Sequence, residues 1–160
     1  MRYIALLILG VSGWFGYQKF MAPPSEAVKT YQAFADAIAR EEFSEAENLA
    51  DGAALRYVRK RQLEFKAPAL KVFGQTARTF SIKEIAGELK WAKYTVHSEV
   101  SENGGKSVSI EATQTSCRLP AKQAAVICRN AVEKRQRATL EHDDQGWWVT
   151  SFIEDSDQAS

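Results

Sequence analysis

Residues 93–113, KYTVHSEVSENGGKSVSIEAT, decide the fold. Tyr94, Val96 and Val100 alternate with Lys93, Thr95, His97 and Glu99. Beyond Asn103-Gly104-Gly105, Val108, Ile110 and Ala112 alternate with Ser107, Ser109, Glu111 and Thr113. Successive side chains of a strand point to opposite faces, so each run reads as a half-buried strand. Asparagine and glycine accept positive φ, which a tight hairpin turn needs. The two runs therefore pair as an antiparallel hairpin.

Strand character begins after about Thr79, with Phe80, Ile82 and Ile85, and continues to the C-terminus. A second connection surrounds Pro120. A long strand is expected from Ala125 to Glu141, a turn at Asp143-Asp144-Gln145-Gly146, and a final strand from Trp147 to Ile153. Upstream the period changes. Ser25 is a suitable N-cap after Pro23-Pro24, with Glu26 in the first turn. Val28, Tyr31, Phe34, Ala35 and Ile38 recur at helical spacing, so a helix should run to about Glu41. Ser44-Glu45-Ala46-Glu47 reads as a capping box opening a second helix, with Gly52 as its C-terminal cap. Leu55, Val58, Gln62 and Phe65 predict a third helix, closed before Pro68. Two or three helices followed by four or five antiparallel strands make an α+β domain, with the helices on one sheet face.

Residues 24–50, PSEAVKTYQAFADAIAREEFSEAENLA, resemble the opening of nuclear transport factor two-like domains, and GWWVTSF resembles their last strand. The resemblance spans most of residues 24–154 and implies a strongly curved sheet with a cone-shaped interior. The superfamily includes isomerases, dehydratases, binding proteins and bare scaffolds, so the fold does not give the function. By that resemblance the ligand pocket lies between helices and sheet. Its expected lining is Tyr31, Phe34, Tyr94, Val96, Ile110, Gln114, Trp148 and Phe152, with Gln136 on the same strand phase.

The two cysteines, Cys117 and Cys128, flank the Pro120 connection. In an oxidising compartment that placement predicts a disulfide; in a reducing one, two buried thiols. Uninterrupted pairing of 117 with 128 would set Val108 and Ile110 beside Arg137 and Arg135. That conflicts with burial, because directly facing residues share a sheet side. One extra residue near Asn130–Gln136 repairs the register and brings Val132, Ala138 and Leu140 to the apolar face. A β-bulge of that kind would also bend the sheet.

The first 22 residues, MRYIALLILGVSGWFGYQKFMA, carry no charge from Tyr3 to Gln18. As a helix that run covers roughly 24 Å, and about 30 Å if continued to Ala22, the thickness of a bilayer core. Trp14 and Tyr17 near one end suit interfacial anchoring, and Arg2 sits at the other. Residues 1–22 are expected to be a membrane anchor or uncleaved signal, residues 23–155 the folded domain and 156–160 a disordered tail. A cleaved signal peptide is the competing reading. Either reading puts the domain outside the cytoplasm, in a periplasmic type of compartment.

The chain has 160 residues, 45% hydrophobic and 26% charged, with net charge +1. That is a globular composition, without the concentrated basic surface of a nucleic-acid binder. His97 and His142 are the only histidines, too few for a metal case, and no cofactor motif is present. His97, His142, Glu99 and Asp36 are expected to face solvent. Arg56, Arg59, Lys60 and Arg61 form a basic run, with Lys66 beyond and Arg129, Arg135 and Arg137 on the outer sheet face. Three roles remain open at this level. One is a membrane-anchored binding or scaffold domain for an envelope protein partner or a small apolar ligand. Another is a homodimer paired through its sheets. The third is an enzyme of the ketosteroid isomerase or dehydratase kind using the cone pocket.

Overall fold

A computed structural model describes residues 23–66, 87–119, 128 and 131–156. Its helices are α1 (Glu26–Arg40), α2 (Phe43–Glu47) and α3 (Gly52–Lys66). They pack on a four-stranded antiparallel sheet of β1 (Glu88–Glu102), β2 (Ser107–Leu119), β3 (Val132–Asp143) and β4 (Gly146–Ser156), in the order β1-β2-β3-β4. The α+β expectation holds. Among the described residues no helix is long and apolar enough to cross a membrane. The expected anchor (1–22), the strand start at Phe80 to Ile85, Arg129 and the tail beyond Ser156 lie outside the described residues.

Ser25 caps α1 as its side chain predicts, accepting from Val28 N at 3.1 Å. Glu41 ends the helix in the left-handed conformation, φ 66°. The capping box at Ser44 does not form. Helix α2 begins at Phe43, two residues before a Ser44 cap would start it, and Phe43 is drawn into the core (9% exposed). Gly52 does not close α2 either. It opens α3 at φ 55°, where a Cβ would meet Thr150 O at 3.4 Å. Between these helices the chain runs along the edge of β4. Val149 N donates to Leu49 O and Asp51 N to Val149 O, both at 2.9 Å, so this stretch of sheet edge is satisfied.

Both turns of the meander sit at one end of the sheet, hereafter the hairpin end. Asn103, Gly104 and Gly105 all have positive φ, as the Asn-Gly-Gly sequence predicts. Helix α1 starts at this end, where Ser25 Oγ donates to Glu99 Oε1 at 2.6 Å. It finishes at the opposite, open end, where Arg118 Nη2 donates to Ala39 O at 2.5 Å.

Register resolves the cysteine problem. Ile110 pairs with Ala138 and Val108 with Leu140, so Ala138 and Leu140 stand on the apolar face as expected. The interruption amounts to three residues, not one, and falls before Val132, ahead of the strand rather than within it. Pairing from Ser107↔Glu141 to Ser116↔Val132 is unbroken, so continuation would bring residue 131 opposite Cys117. The disulfide instead joins Cys117 to Cys128, with Cα atoms 6.0 Å apart. The slip therefore falls before β3, and the bond holds the connection where ladder pairing has stopped.

Bulges do occur, at positions the sequence pattern did not mark. Lys90 and His97 interrupt β1, and Thr150 interrupts β4 between Ser151 and Val149. Each bends its strand and reverses the side-chain phase beyond it. After His97, Glu99 takes the helix-side phase opposite buried Ile110, while Val100 turns out and is 52% exposed. The placement of Val100 on the apolar face is thereby corrected, while Glu99 is exposed as expected but on the helix-side phase and not beside His97.

Candidate functional site

The middle of the cone is filled. Tyr31 and Phe34 from α1, Ile110 from β2 and Phe152 from β4 are buried. Phe34 meets Phe152 with ring centroids 5.1 Å apart, and Tyr57 of α3 meets the other side of Phe152 at 5.2 Å. Each large apolar side chain so buried contributes about 1.5–3 kcal/mol. Of the eight residues expected to line a pocket, Tyr31, Phe34, Ile110 and Phe152 are packed core. Tyr94 and Val96 are half-buried against it.

Trp148 is elsewhere. The Thr150 bulge separates its phase from that of Phe152, so Val149, not Trp148, faces the helices. Trp148 Nε1 instead donates to Asp143 Oδ1 at 2.9 Å, beside the last turn. That bond comes first in holding the Asp143 carboxyl below its usual range, helped by the Gln145 amide.

Gln114 and Gln136 are buried, as their strand phase predicts, and they carry a polar chain through the core. The Tyr31 hydroxyl donates to Gln136 Oε1 at 2.6 Å. Gln136 Nε2 donates to Gln114 Oε1 at 3.3 Å and to Glu154 Oε2 at 3.0 Å. Gln114 Nε2 donates to the Tyr94 hydroxyl at 3.1 Å. Lys134 Nζ lies 2.6 Å from Glu154 Oε1. Among the described residues no buried side-chain polar atom lacks a partner. Burial pushes the Tyr31 phenol well above its usual value, with Tyr94 and Glu154 adding to the effect. Burial likewise pushes Tyr94 and Tyr57 up to about 12.

The polar chain ends on a cavity of about 460 Å³ at the open end. Ile38, Phe43, Phe65, Leu89 and Val132 form its apolar walls, and Gln114, Ser116, Lys134 and Glu154 its polar floor. The rim carries Glu41, Arg61, Glu64 and Arg118. Arg118 Nη1 donates to Glu41 Oε1 at 3.1 Å and to Gly87 O at 3.3 Å, tying α1, β1 and β2 together. Arg61 pairs with Glu64 at 3.6 Å. Only Gln114 of the expected lining borders this cavity. Lys134 and Glu154 were missed, although a signal existed. They continue the inward phase of Gln136 and Phe152, which was followed only through uncharged residues.

The remaining ionisable candidates are dispersed. His97 Nε2 shares a 2.7 Å hydrogen bond with Thr113 Oγ1 on the exposed outer face. His142 is exposed and its ring meets Trp147 with centroids 5.0 Å apart. Asp36 pairs with Arg40 along the exposed side of α1. On the outer sheet face Arg137 pairs with Asp155 at 3.3 Å. Among the described residues no group of His, Cys, Asp and Glu could hold a metal ion.

No family model matches this chain, and no curated protein sequence matches it. Its structure is similar to that of an NTF-2-like protein of unknown function from Shewanella oneidensis MR-1. The TM-score is 0.51 and the identity 10%, over 82% of this chain and 97% of that one. The intermembrane space region of the chloroplast protein ARC6 is also similar, with TM-score 0.46 and identity 15%, over 84% of this chain and 99% of that one. Three helices packed on a bulged four-stranded meander, together with the Shewanella likeness, give this chain the nuclear transport factor two-like fold.

Proposed function

We propose that this chain is a membrane-anchored, extracytoplasmic binding domain without chemistry of its own. The apolar run of residues 1–22 supports the anchor, and the Cys117–Cys128 disulfide supports an oxidising compartment. The observation that carries the binding role is the charge pairing of the open-end cavity. Each cation on its wall already faces an anion: Arg118 with Glu41, Lys134 with Glu154 and Arg61 with Glu64. A general base needs a carboxylate free to take a proton, whereas Glu154 accepts from Lys134 and Gln136 on its two oxygens. Such a wall favours an occupant without net charge, with an apolar body along Phe43, Phe65, Leu89 and Val132 and a polar group near Gln114. A small ligand or an inserted side chain of an envelope partner fits that description.

The test is native mass analysis of the full chain purified from membranes in mild detergent, together with capture of associated proteins. Val132→Trp, which fills the cavity from an exposed position, should abolish the associated species and keep the melting temperature. A species retained by this variant would overturn the cavity as the binding site. Resistance to alkaline carbonate extraction tests the anchor separately.

One observation favours the enzyme reading: a carboxylate, Glu154, borders the cavity beside a buried amide and two phenols. A Glu154→Gln protein that folds and binds normally yet loses biological function would establish that reading over ours.

A further inference from the structure

The basic run of α3 is not used by the cavity, apart from Arg61. At 100° per residue, Arg56, Arg59, Lys60 and Leu63 fall within one arc of about 100°. The opposite side of the helix holds Ala54 and Val58, both fully buried. Leu63 thus stands at the centre of the solvent side, 70% exposed, flanked by three cations. Arg56 makes no ion pair among the described residues, and Arg59 and Lys60 reach Glu47 and Glu64 only at 3.6 and 3.9 Å. An apolar side chain ringed by cations suits an anionic lipid surface, where headgroups take the charges and the boundary takes the leucine.

The charge layout of the domain agrees. Helix α1 begins at the hairpin end, and the apolar run read in the sequence ends at Ala22, just before Pro23. That end carries exposed Glu99, Glu102, Glu141, Asp143 and Asp144, with Lys106 among them. An anionic surface repels this end and attracts the flank formed by α3. Helix α3 has 15 residues, roughly 22 Å, and starts at the same end beside β4, so its cations lie within a short swing of the tether.

We infer that the α3 face of Arg56, Arg59, Lys60 and Leu63 docks the domain on the anionic phospholipid surface of the membrane that holds its anchor. The inference rests on the anchored reading above for its tether. Docked this way, the domain lies on its flank, with the outer sheet face free.

The test uses the full chain with its native disulfide and a single spin label on Leu63→Cys. The protein is reconstituted into vesicles of phosphatidylcholine alone or mixed with phosphatidylglycerol. In the anionic vesicles, accessibility of the label to an aqueous nickel chelate should fall about threefold or more and recover in 1 M salt, where the screening length is about 3 Å. A label at Val100→Cys, on the outer sheet face, should not change. Arg56→Glu with Arg59→Glu and Lys60→Glu should remove the effect. Equal accessibility in both vesicles, or an equal fall in both, would overturn the inference. Failure of the anchor reads differently: the protein would be released by alkaline carbonate, while docking of the full chain on added vesicles would still follow phosphatidylglycerol content and salt.

Discussion

The middle of the helix–sheet interface and its open end are built on the same strands, yet one is solid and the other hollow. In the middle, α1 supplies Tyr31 and Phe34 against Ile110, Leu140 and Phe152, all at most 5% exposed. At the open end α1 has already stopped, at Arg40, while β1, β2 and β3 continue past it. Ser116, Arg118 and Lys134 therefore border a cavity walled by Ile38, Phe43 and Phe65 instead of packing under a continuing α1, and hydrogen bonds and ion pairs take over from close packing. The site is hollow because a helix is shorter than the strands beneath it. A left-handed Glu41 held by Arg118 marks the place.

That contrast breaks most visibly under truncation. Phe34→Ala should cost about 3–5 kcal/mol in chemical unfolding, as for buried aromatics generally. Phe65→Ala, on the half-buried cavity wall, should cost less than half as much. Equal losses would mean that the open end is packed as tightly as the middle.

The disulfide tests the open end alone. Cys117 and Cys128 are 11 residues apart, so reduction should cost about 3 kcal/mol on a chain-entropy estimate. Hydrogen exchange should then accelerate first in residues 116–119 and 132–134. Acceleration spread evenly over the sheet would show that the bond braces the whole domain.

The polar chain joins the two regions. Gln136→Leu leaves the Tyr31 hydroxyl buried without its acceptor and should cost about 1–3 kcal/mol. Adding Tyr31→Phe should recover a large part of that loss. Strictly additive effects in this cycle would show that the 2.6 Å bond between them carries no coupling.

Alkaline pH sharpens the same point. Tyr94 and Tyr57 hold their protons more tightly in the folded state, with values near 12 against 10.0 unperturbed. Their contribution is complete below pH 10 and is lost as pH rises through 12, so melting temperature should fall across that window. Tyr94→Phe should flatten the fall. The smallest effect belongs to Trp148→Ala. On the outer side of the bulge this change should cost about 1 kcal/mol or less, although a tryptophan in the core would cost several times that.

The local grammar determined much of this molecule. Ser25 caps its helix, Asn-Gly-Gly turns the hairpin, and the apolar spacing from Val28 to Ile38 sets the buried side of α1. The conflict between a 117–128 pairing and the burial of Val108 and Ile110 was enough to demand a broken register. Gln114 and Gln136 were legible as inward polar residues because their phase was counted from apolar neighbours on the same strand. The bulges at His97 and Thr150 were not legible. A bulge is a mismatch between two strands, and alternation along one strand carries no record of its partner. For that reason the alternation puts Val100 and Trp148 on the wrong faces, and Glu99, although exposed as expected, on the wrong strand phase. The cavity belongs to the same class of fact. Its existence depends on where α1 ends relative to β2 and β3 in space, and its charges became visible only when tertiary packing brought Glu41 to Arg118 and Glu154 to Lys134.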